Sequence, residues 1–358
     1  MRNTLIILTP GFPENEADTT CLPDRQTFIR VLRHTYPWLN IVVISFQYPF
    51  QAREYDWKGI RIIALGGKSK GGVSRRVIWF RAYQQLKQLN KKNKVIGLLS
   101  FWLDECAFVG HMFAKKNKLR HFAWLLGQDA RAGNRYVNRM VTDGGNLIAL
   151  SQFLKEEFER NYGITPQHLV SSGIDPRMFG IPPDVRDIDI MGAGSLIPLK
   201  QYHLLVEVVK ALKRTFPHIK AAICGDGPEL QSLKDKVTAY GLQDNITFTG
   251  SLPHARTLRM MQRTKLLLHP SSYEGFSTVT LEALYAGAHV ISFTSPIGKA
   301  FKNHYIVNDV EAMAQTALQI LLDDNRDHQP VLIQSVTQMA REIMALYQPV
   351  LHNEVAMA

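Results

Sequence analysis

The chain has 358 residues, enough for about two domains at roughly 150 residues each. Apolar residues make up 46% and charged residues 20%, a globular rather than a disordered composition. Cys21, Cys106 and Cys224 are too few and too scattered for a disulfide framework or a zinc knuckle, which fits a reducing compartment. No apolar run approaches the roughly 18 residues of a membrane-spanning helix. The stretch Leu5–Leu8 is also too short for a signal-peptide core, so a cytoplasmic protein is expected, peripheral at a membrane at most.

The net charge of +11 is uneven. Residues 1–180 hold 26 Lys and Arg against 14 Asp and Glu, whereas residues 181–358 hold 16 against 17. The first half is therefore the one suited to a polyanion or an anionic membrane. Its densest stretches run from Lys87 to Lys94 and from Lys115 to Arg120, with Arg75, Arg76 and Arg81 beside them. They carry no helix-turn-helix, zinc-finger or RNP pattern, so no nucleic acid partner is expected.

Short β-branched runs alternate with amphipathic segments, the mark of α/β units around buried parallel strands. In the first half, strands are predicted at Leu5–Leu8, Ile41–Phe46, Arg61–Leu65, Val95–Phe101, His121–Leu126 and Leu147–Leu150. Helices are predicted near Thr20–Thr35, Ser74–Leu89, Asp104–Lys116 and Asn134–Val141, and Ser151 suits the N-cap of another at Gln152–Asn161. The predicted helix after the glycine run Gly66–Gly72 would bury Ile78, Ala82, Leu86 and Leu89 as one stripe, and its arginines admit an interfacial role. The run itself lacks the first glycine of a P-loop.

A Pro-, Gly- and Asp-rich linker covers Ser172–Asp184. Beyond it, strands are predicted at Ile188–Gly192, Ile219–Cys224, Ile246–Thr249, Leu266–His269 and Val290–Phe293. The helices between and after them are predicted at Tyr202–Thr215, Pro228–Tyr240, Ala255–Arg263, Ser277–Ala286 and Val310–Leu322, with a last one at Val331–Leu351. The expected organisation is α/β: one doubly wound parallel-sheet domain over residues 1–180, a second over 181–330, and a closing helix over 331–358 that crosses back to the first. Such sheets bind ligands at the carboxyl ends of their strands, here between the two domains.

The richest stretch runs from Pro270 to Val290. A strand ends at His269, a loop holds Glu274 and Gly275, and a helix opens near Ser277 with Glu282 inside it. The unpaired amides and positive end of that helix make a phosphate seat. Two carboxylates eight positions apart in sequence, one in the loop and one on the helix, suit hydroxyl groups of a sugar and a ribose.

At these residues the chain resembles the retaining glycosyltransferases of family 4, within glycosyl transferases group 1. Their Ser-x-x-Glu-Gly-Phe-Gly loop stands here as Ser271 to Phe276 followed by Ser277. Their second Glu is Glu282, and their Gly-x-Pro-Val turn is Gly287 to Val290 with His289 for Pro. Cys224–Leu230, Asn245–Gly250, Ser172–Asp175 and Gly194–Lys200 resemble further family segments, and the likeness is specific over about residues 170–295.

The resemblance implies a GT-B fold, two Rossmann-like domains facing a central cleft. It implies a hexosyltransferase-type, retaining, metal-independent enzyme without a cofactor, using a UDP- or GDP-linked sugar as co-substrate. The acceptor would be a glycan or lipid-linked, in cell-surface polysaccharide or glycolipid synthesis. Lys200 would contact the donor diphosphate, Glu274 would face the hexose and Glu282 would bind the ribose. Backbone at Gly275, Phe276 and Ser277 would hold sugar hydroxyls, and that at Thr278 and Val279 the diphosphate. Backbone near Leu252 would meet the base.

Three departures bear on this. Ser195 replaces the family's diphosphate-binding Arg. The family's His-Gly-x-Asp stands as Leu126-Gly127-Gln128-Asp129, leaving Gln128, Asp129 or Arg131 for the acceptor side. The family's Gly-Gly-x-x-Glu is absent at Ile297-Gly298-Lys299. These departures favour one alternative, a catalytically inactive GT-B-like partner subunit that binds a nucleotide or glycan.

Overall fold

The structure is a computed structural model and describes residues 2–140, 143–295, 301–323 and 325–348. The chain forms two compact units, residues 1–172 with the chain from 336 onward, and residues 173–335.

The first unit takes β1 (Asn3–Gly11), α1 (Pro23–Thr35), β2 (Asn40–Tyr48), β3 (Arg53–Trp57), β4 (Ile60–Ala64), α2 (Gly72–Lys92) and β5 (Lys94–Phe101). It continues with α3 (Glu105–Asn117), β6 (His121–Leu125), α4 (Val137–Met140), β7 (Leu147–Ala149), α5 (Gln152–Tyr162) and β8 (His168–Leu169). The sheet order is β3-β4-β2-β1-β5-β6-β7-β8. Every pair is parallel except the β3–β4 hairpin. β1 is central, which is why Leu5, Ile6, Ile7 and Leu8 are all apolar and fully buried: helices cover both faces. On one face Ile6, Leu8, Val42 and Ile44 pack against Ile78, Ala82, Leu86 and Leu89 of α2. Ser151 caps α5, its Oγ accepting the Leu154 amide at 3.1 Å.

The second unit takes β9 (Ile188–Ala193), α6 (Tyr202–Leu212), β10 (Ala221–Cys224), α7 (Leu230–Ala239), β11 (Ile246–Gly250) and α8 (His254–Gln262). Then come β12 (Thr264–His269), α9 (Thr278–Tyr285), β13 (His289–Ser292), β14 (His304–Ile306) and α10 (Val310–Leu321). Its sheet order is β11-β10-β9-β12-β13-β14, parallel throughout. Strand residues alternate between two cores, as a period of two demands. Ile190, Leu266 and Leu268 join Leu205 and Val209, while Met191 and Leu267 join Met261, Ala283 and Leu284 on the opposite face.

The last helix, α11 (Val336–Ala345), belongs to the first unit, where it packs on α1. Beyond it the Tyr347 hydroxyl donates to the Leu98 carbonyl at 2.7 Å. Two boundaries differ from the sequence reading. The units divide at 172/173 rather than at 180/181, because the Ile174 amide donates to the Gln334 carbonyl at 3.0 Å and Phe179 packs edge-on to Tyr285. The last helix starts at Val336 and not at 331. Val331 donates to the Leu284 carbonyl and Ser335 bridges Ile174, both extended contacts. Among the described residues, no helix is long and apolar enough to cross a membrane.

Candidate functional site

In the second unit the chain leaves β9 for β10 on one side, and β12 lies on the other. That is the topological switch point of a doubly wound sheet, where the loops separate and leave a crevice beyond the strand ends. The loop after β9 carries Lys200 at the end of a 3-10 turn, Pro198–Lys200. The loop after β12 carries Glu274. The Ser272 amide donates to the Leu199 carbonyl at 3.0 Å and ties the two loops together.

The neighbouring loops close up behind them. The Gly194 amide donates to the Cys224 carbonyl at 2.9 Å, and the Leu196 amide to the Asp226 carbonyl at 2.9 Å. Gly225 sits at a φ of +145°, and a Cβ there would lie 1.8 Å from the Gly194 carbonyl oxygen. Only glycine fits so close a backbone crossing.

Lys200 and Glu274 meet as an ion pair, Nζ on Oε1. On its other side the same oxygen lies 2.9 Å from Nε2 of His269, the last residue of β12. That nitrogen is also 3.2 Å from Oγ of Ser277. Burial alone would push the Glu274 carboxyl up. The hydrogen bond and charge of His269, with the charge and hydrogen bond of Lys200, outweigh it and hold the group at about 2. Glu274 is thus a firmly ionised acceptor on a cationic support. The Lys200 ammonium has three donors, and one on Glu274 leaves two for another anion.

Ser277 caps α9, its Oγ accepting the Thr280 amide. The amides of Thr278 and Val279, in the first turn, have no acceptor within the helix. One and a half turns along, Oε1 of Glu282 lies 2.7 Å from Nε2 of His254, the first residue of α8. Two polar atoms near these strand ends, the Tyr202 hydroxyl and Ser271 Oγ, are buried without a hydrogen-bond partner among the described residues. A Cβ on Gly194 would come within 2.9 Å of that hydroxyl and 3.9 Å of Cε of Lys200, so Tyr202 borders the same place. Unpaired buried polar atoms of this kind fit a polar ligand or ordered water.

The remaining residues singled out from the sequence fall into three groups. Gly275 and Phe276 are buried in the loop between Glu274 and α9. Ser195 is exposed after β9, and the Leu252 side chain packs against the apolar core beneath α8 and α9. Gln128, Asp129 and Arg131 lie in the first unit, on the turn after β6. There Gln128 and Arg131 are exposed. Asp129 is an organiser of the turn, because its carboxylate accepts from the amides of Leu103, Leu126 and Gly127 at 2.8 to 3.3 Å. Burial pushes the Asp129 carboxyl up to about 6 against the pull of those amides. Ile297-Gly298-Lys299 lies outside the described residues. Among the described residues there is no group of three His, Cys, Asp or Glu side chains able to hold a metal ion.

His269, His254 and Tyr202 were missed by motif reasoning. His269 carried one usable signal, a histidine closing the run Leu266-Leu267-Leu268 just before Pro270. Such a residue must be buried at a strand end and needs a polar partner.

Residues 178–332 match the family described as Glycosyl transferases group 1. The matched stretch lies wholly within the second unit. The switch-point loops, the Lys200–Glu274 pair and the start of α9 all lie within those matched residues. The chain is 28% identical over 174 residues to the phosphatidylinositol N-acetylglucosaminyltransferase gpi3 subunit of Schizosaccharomyces pombe, covering 46% of this chain and 38% of that protein. It is 27% identical over 184 residues to a glycogen synthase of Mycobacterium tuberculosis, covering 50% and 44%. The match therefore spans about two fifths of the length of these curated relatives. Among solved structures, Anabaena HepE in complex with UDP and glucose superposes with a TM-score of 0.68 at 15% identity, covering 98% of this chain and 99% of that one. The fold is GT-B, two α/β units with parallel sheets apart from one edge hairpin.

Proposed function

We propose that the protein transfers a sugar from a nucleoside diphosphate donor to a glycan or lipid-linked acceptor with retention at the anomeric carbon. The observation that carries this reading is the Lys200–Glu274–His269 constellation at the switch point beside the open end of α9. Breaking the glycosidic bond to a diphosphate leaves two phosphates with growing negative charge. Stabilising that charge calls for preorganised positive potential at the leaving oxygens. Lys200 and the amides of Thr278 and Val279 supply it, and no resident metal is needed for that part of the work.

In this reading Glu282 accepts hydrogen bonds from the ribose hydroxyls and Glu274 from the sugar. The acceptor hydroxyl attacks on the face the diphosphate leaves. Its proton passes to a phosphate oxygen of the departing group, so no second carboxylate of the hydrolase kind is required. UDP or GDP is the expected carrier, and HepE, solved with UDP and glucose, supports the first. The basic excess of residues 1–180 favours a phosphate-bearing, lipid-linked acceptor at a membrane surface, as in cell-surface glycan synthesis.

A thermal-shift screen against UDP-, GDP- and ADP-sugars tests the donor, since a ligand of the folded state raises its apparent stability. One donor series is expected to raise Tm, and Glu282→Ala to abolish the shift. Full donor affinity and turnover in Glu282→Ala would contradict the assignment. Ser195, where the family has a cation, favours the inactive-partner reading, and release of free sugar from the donor by pure protein excludes it.

A further inference from the structure

We infer that the outward face of α2 docks on an anionic phospholipid bilayer. The helix holds six Arg and Lys and no carboxylate in 21 residues. Its inward face is fully used. Ile78, Ala82, Leu86 and Leu89 are buried, Trp79 Nε1 donates to Glu105 at 2.8 Å, Arg75 lies 3.5 Å from the same carboxylate, and Tyr83 packs edge-on to Phe113.

The opposite face leaves large apolar side chains in solvent. Val73 is 77% exposed, Val77 42% and Phe80 64%. Their spacing of four and three residues puts them on one stripe. Arg76 and Arg81, both exposed, flank the stripe, and Lys87 and Lys91 continue the same face toward the C-terminus. Lys68 and Lys70 stand exposed on the loop just before the helix. That loop adjoins another apolar tip. The residues around Phe50, itself 55% exposed, touch Gly66.

Three apolar side chains in a row with cations on both sides is the pattern of a helix lying in the bilayer interface. The apolar groups enter the acyl boundary, and the longer Arg and Lys side chains reach outward to lipid phosphates. Charge complementarity selects the occupant. A face with no carboxylate repels a second copy of itself and attracts an anionic surface. The purpose of such docking rests on the lipid-linked acceptor proposed above. Its physics does not, so the two readings fail separately.

The test is co-sedimentation of the full chain with vesicles of phosphatidylcholine alone or mixed with phosphatidylglycerol. The wild type is expected to pellet only with the anionic vesicles. Its binding should fall steeply between about 0.15 M and about 1 M salt, as the screening length drops from about 8 to about 3 Å. Val77→Ser with Phe80→Ser should weaken the partition by about tenfold or more through lost apolar burial. Arg76→Glu with Arg81→Glu should abolish it. Both variants should keep the wild-type circular dichroism and the nucleotide thermal shift, because the four positions face away from the core. Equal binding to neutral vesicles, or variants that pellet as the wild type does, would overturn the inference. So would a concentration-dependent dimer that the same substitutions dissolve, with no vesicle binding. Vesicle binding without any nucleotide-sugar response would uphold the docking face and count against the proposed transferase instead.

Discussion

Nε2 of His254 lies 2.7 Å from Oε1 of Glu282, which links the first residue of α8 to the middle of α9. Both side chains are about one-eighth exposed, at 12% each, so the contact is only lightly screened. His254 therefore fixes one oxygen of the carboxylate proposed to bind ribose and leaves the other for the ligand. His254→Ala should raise the donor KM by about fivefold, the worth of roughly 1 kcal/mol in one oriented hydrogen bond, with kcat within about twofold of wild type. His254→Asn, which keeps a donor, should recover part of the loss. An unchanged KM in the alanine variant would show that Glu282 needs no such support.

The Glu274 pair predicts an acid-side signature. The carboxyl sits at about 2 in the fold against an ordinary value of 4.5. A depressed carboxyl contributes its full stability above the unfolded value and loses it as pH falls from about 4.5 toward about 2. The shift corresponds to about 3 kcal/mol. Urea midpoints measured across that window should fall more steeply for wild type than for Glu274→Gln. At neutral pH the glutamine variant should be less stable by about 1–3 kcal/mol, because Lys200 loses its partner. Parallel pH profiles for the two proteins would contradict the ion pair.

Much of this arrangement is visible in the residues themselves. Buried parallel strands must be continuous apolar runs, so β1, β2, β5 and β12 stand out in any reading of the chain. The strands that escape notice are edges. β3 reads Arg-Glu-Tyr-Asp-Trp, β8 has two residues, and β14 reads His-Tyr-Ile. One open side frees such a strand from the need to be apolar, and the periodic signal disappears. In the site, Lys200, Glu274 and Glu282 lie in motifs with recognisable spacing. The partner of Glu282, His254, comes from 28 residues away, and no local pattern announces a contact made only by folding. His269, by contrast, stands five residues before Glu274 and shows itself only as a polar residue closing an apolar strand. Asp129 shows the converse. Its place in a motif pointed to a ligand, yet three backbone amides use its oxygens.

The return of the chain to the first unit depends on Tyr347. Its hydroxyl donates to the Leu98 carbonyl at 2.7 Å, and its ring meets Phe122 edge-on at 5.4 Å. A Cβ on Gly97 would lie 2.4 Å from its Cε1, so the ring occupies space that only glycine leaves. Tyr347→Ala should cost about 3–5 kcal/mol by opening a cavity, and Tyr347→Phe about 1 kcal/mol by removing one hydrogen bond. Gly97→Ala should cost about 1–3 kcal/mol by overpacking. Urea unfolding of the three variants checks the order. An alanine variant as stable as wild type would mean that the segment after α11 contributes little to the first unit.

Calorimetric titration of UDP, GDP and ADP into the wild type and into Lys200→Met tests the claim that a cationic crevice at the β9–β12 switch point holds the leaving diphosphate. The account predicts that at least one nucleoside diphosphate binds the wild type and binds Lys200→Met at least about tenfold more weakly, a loss of about 1.4 kcal/mol. Binding of equal strength to both proteins, or to neither, would contradict it.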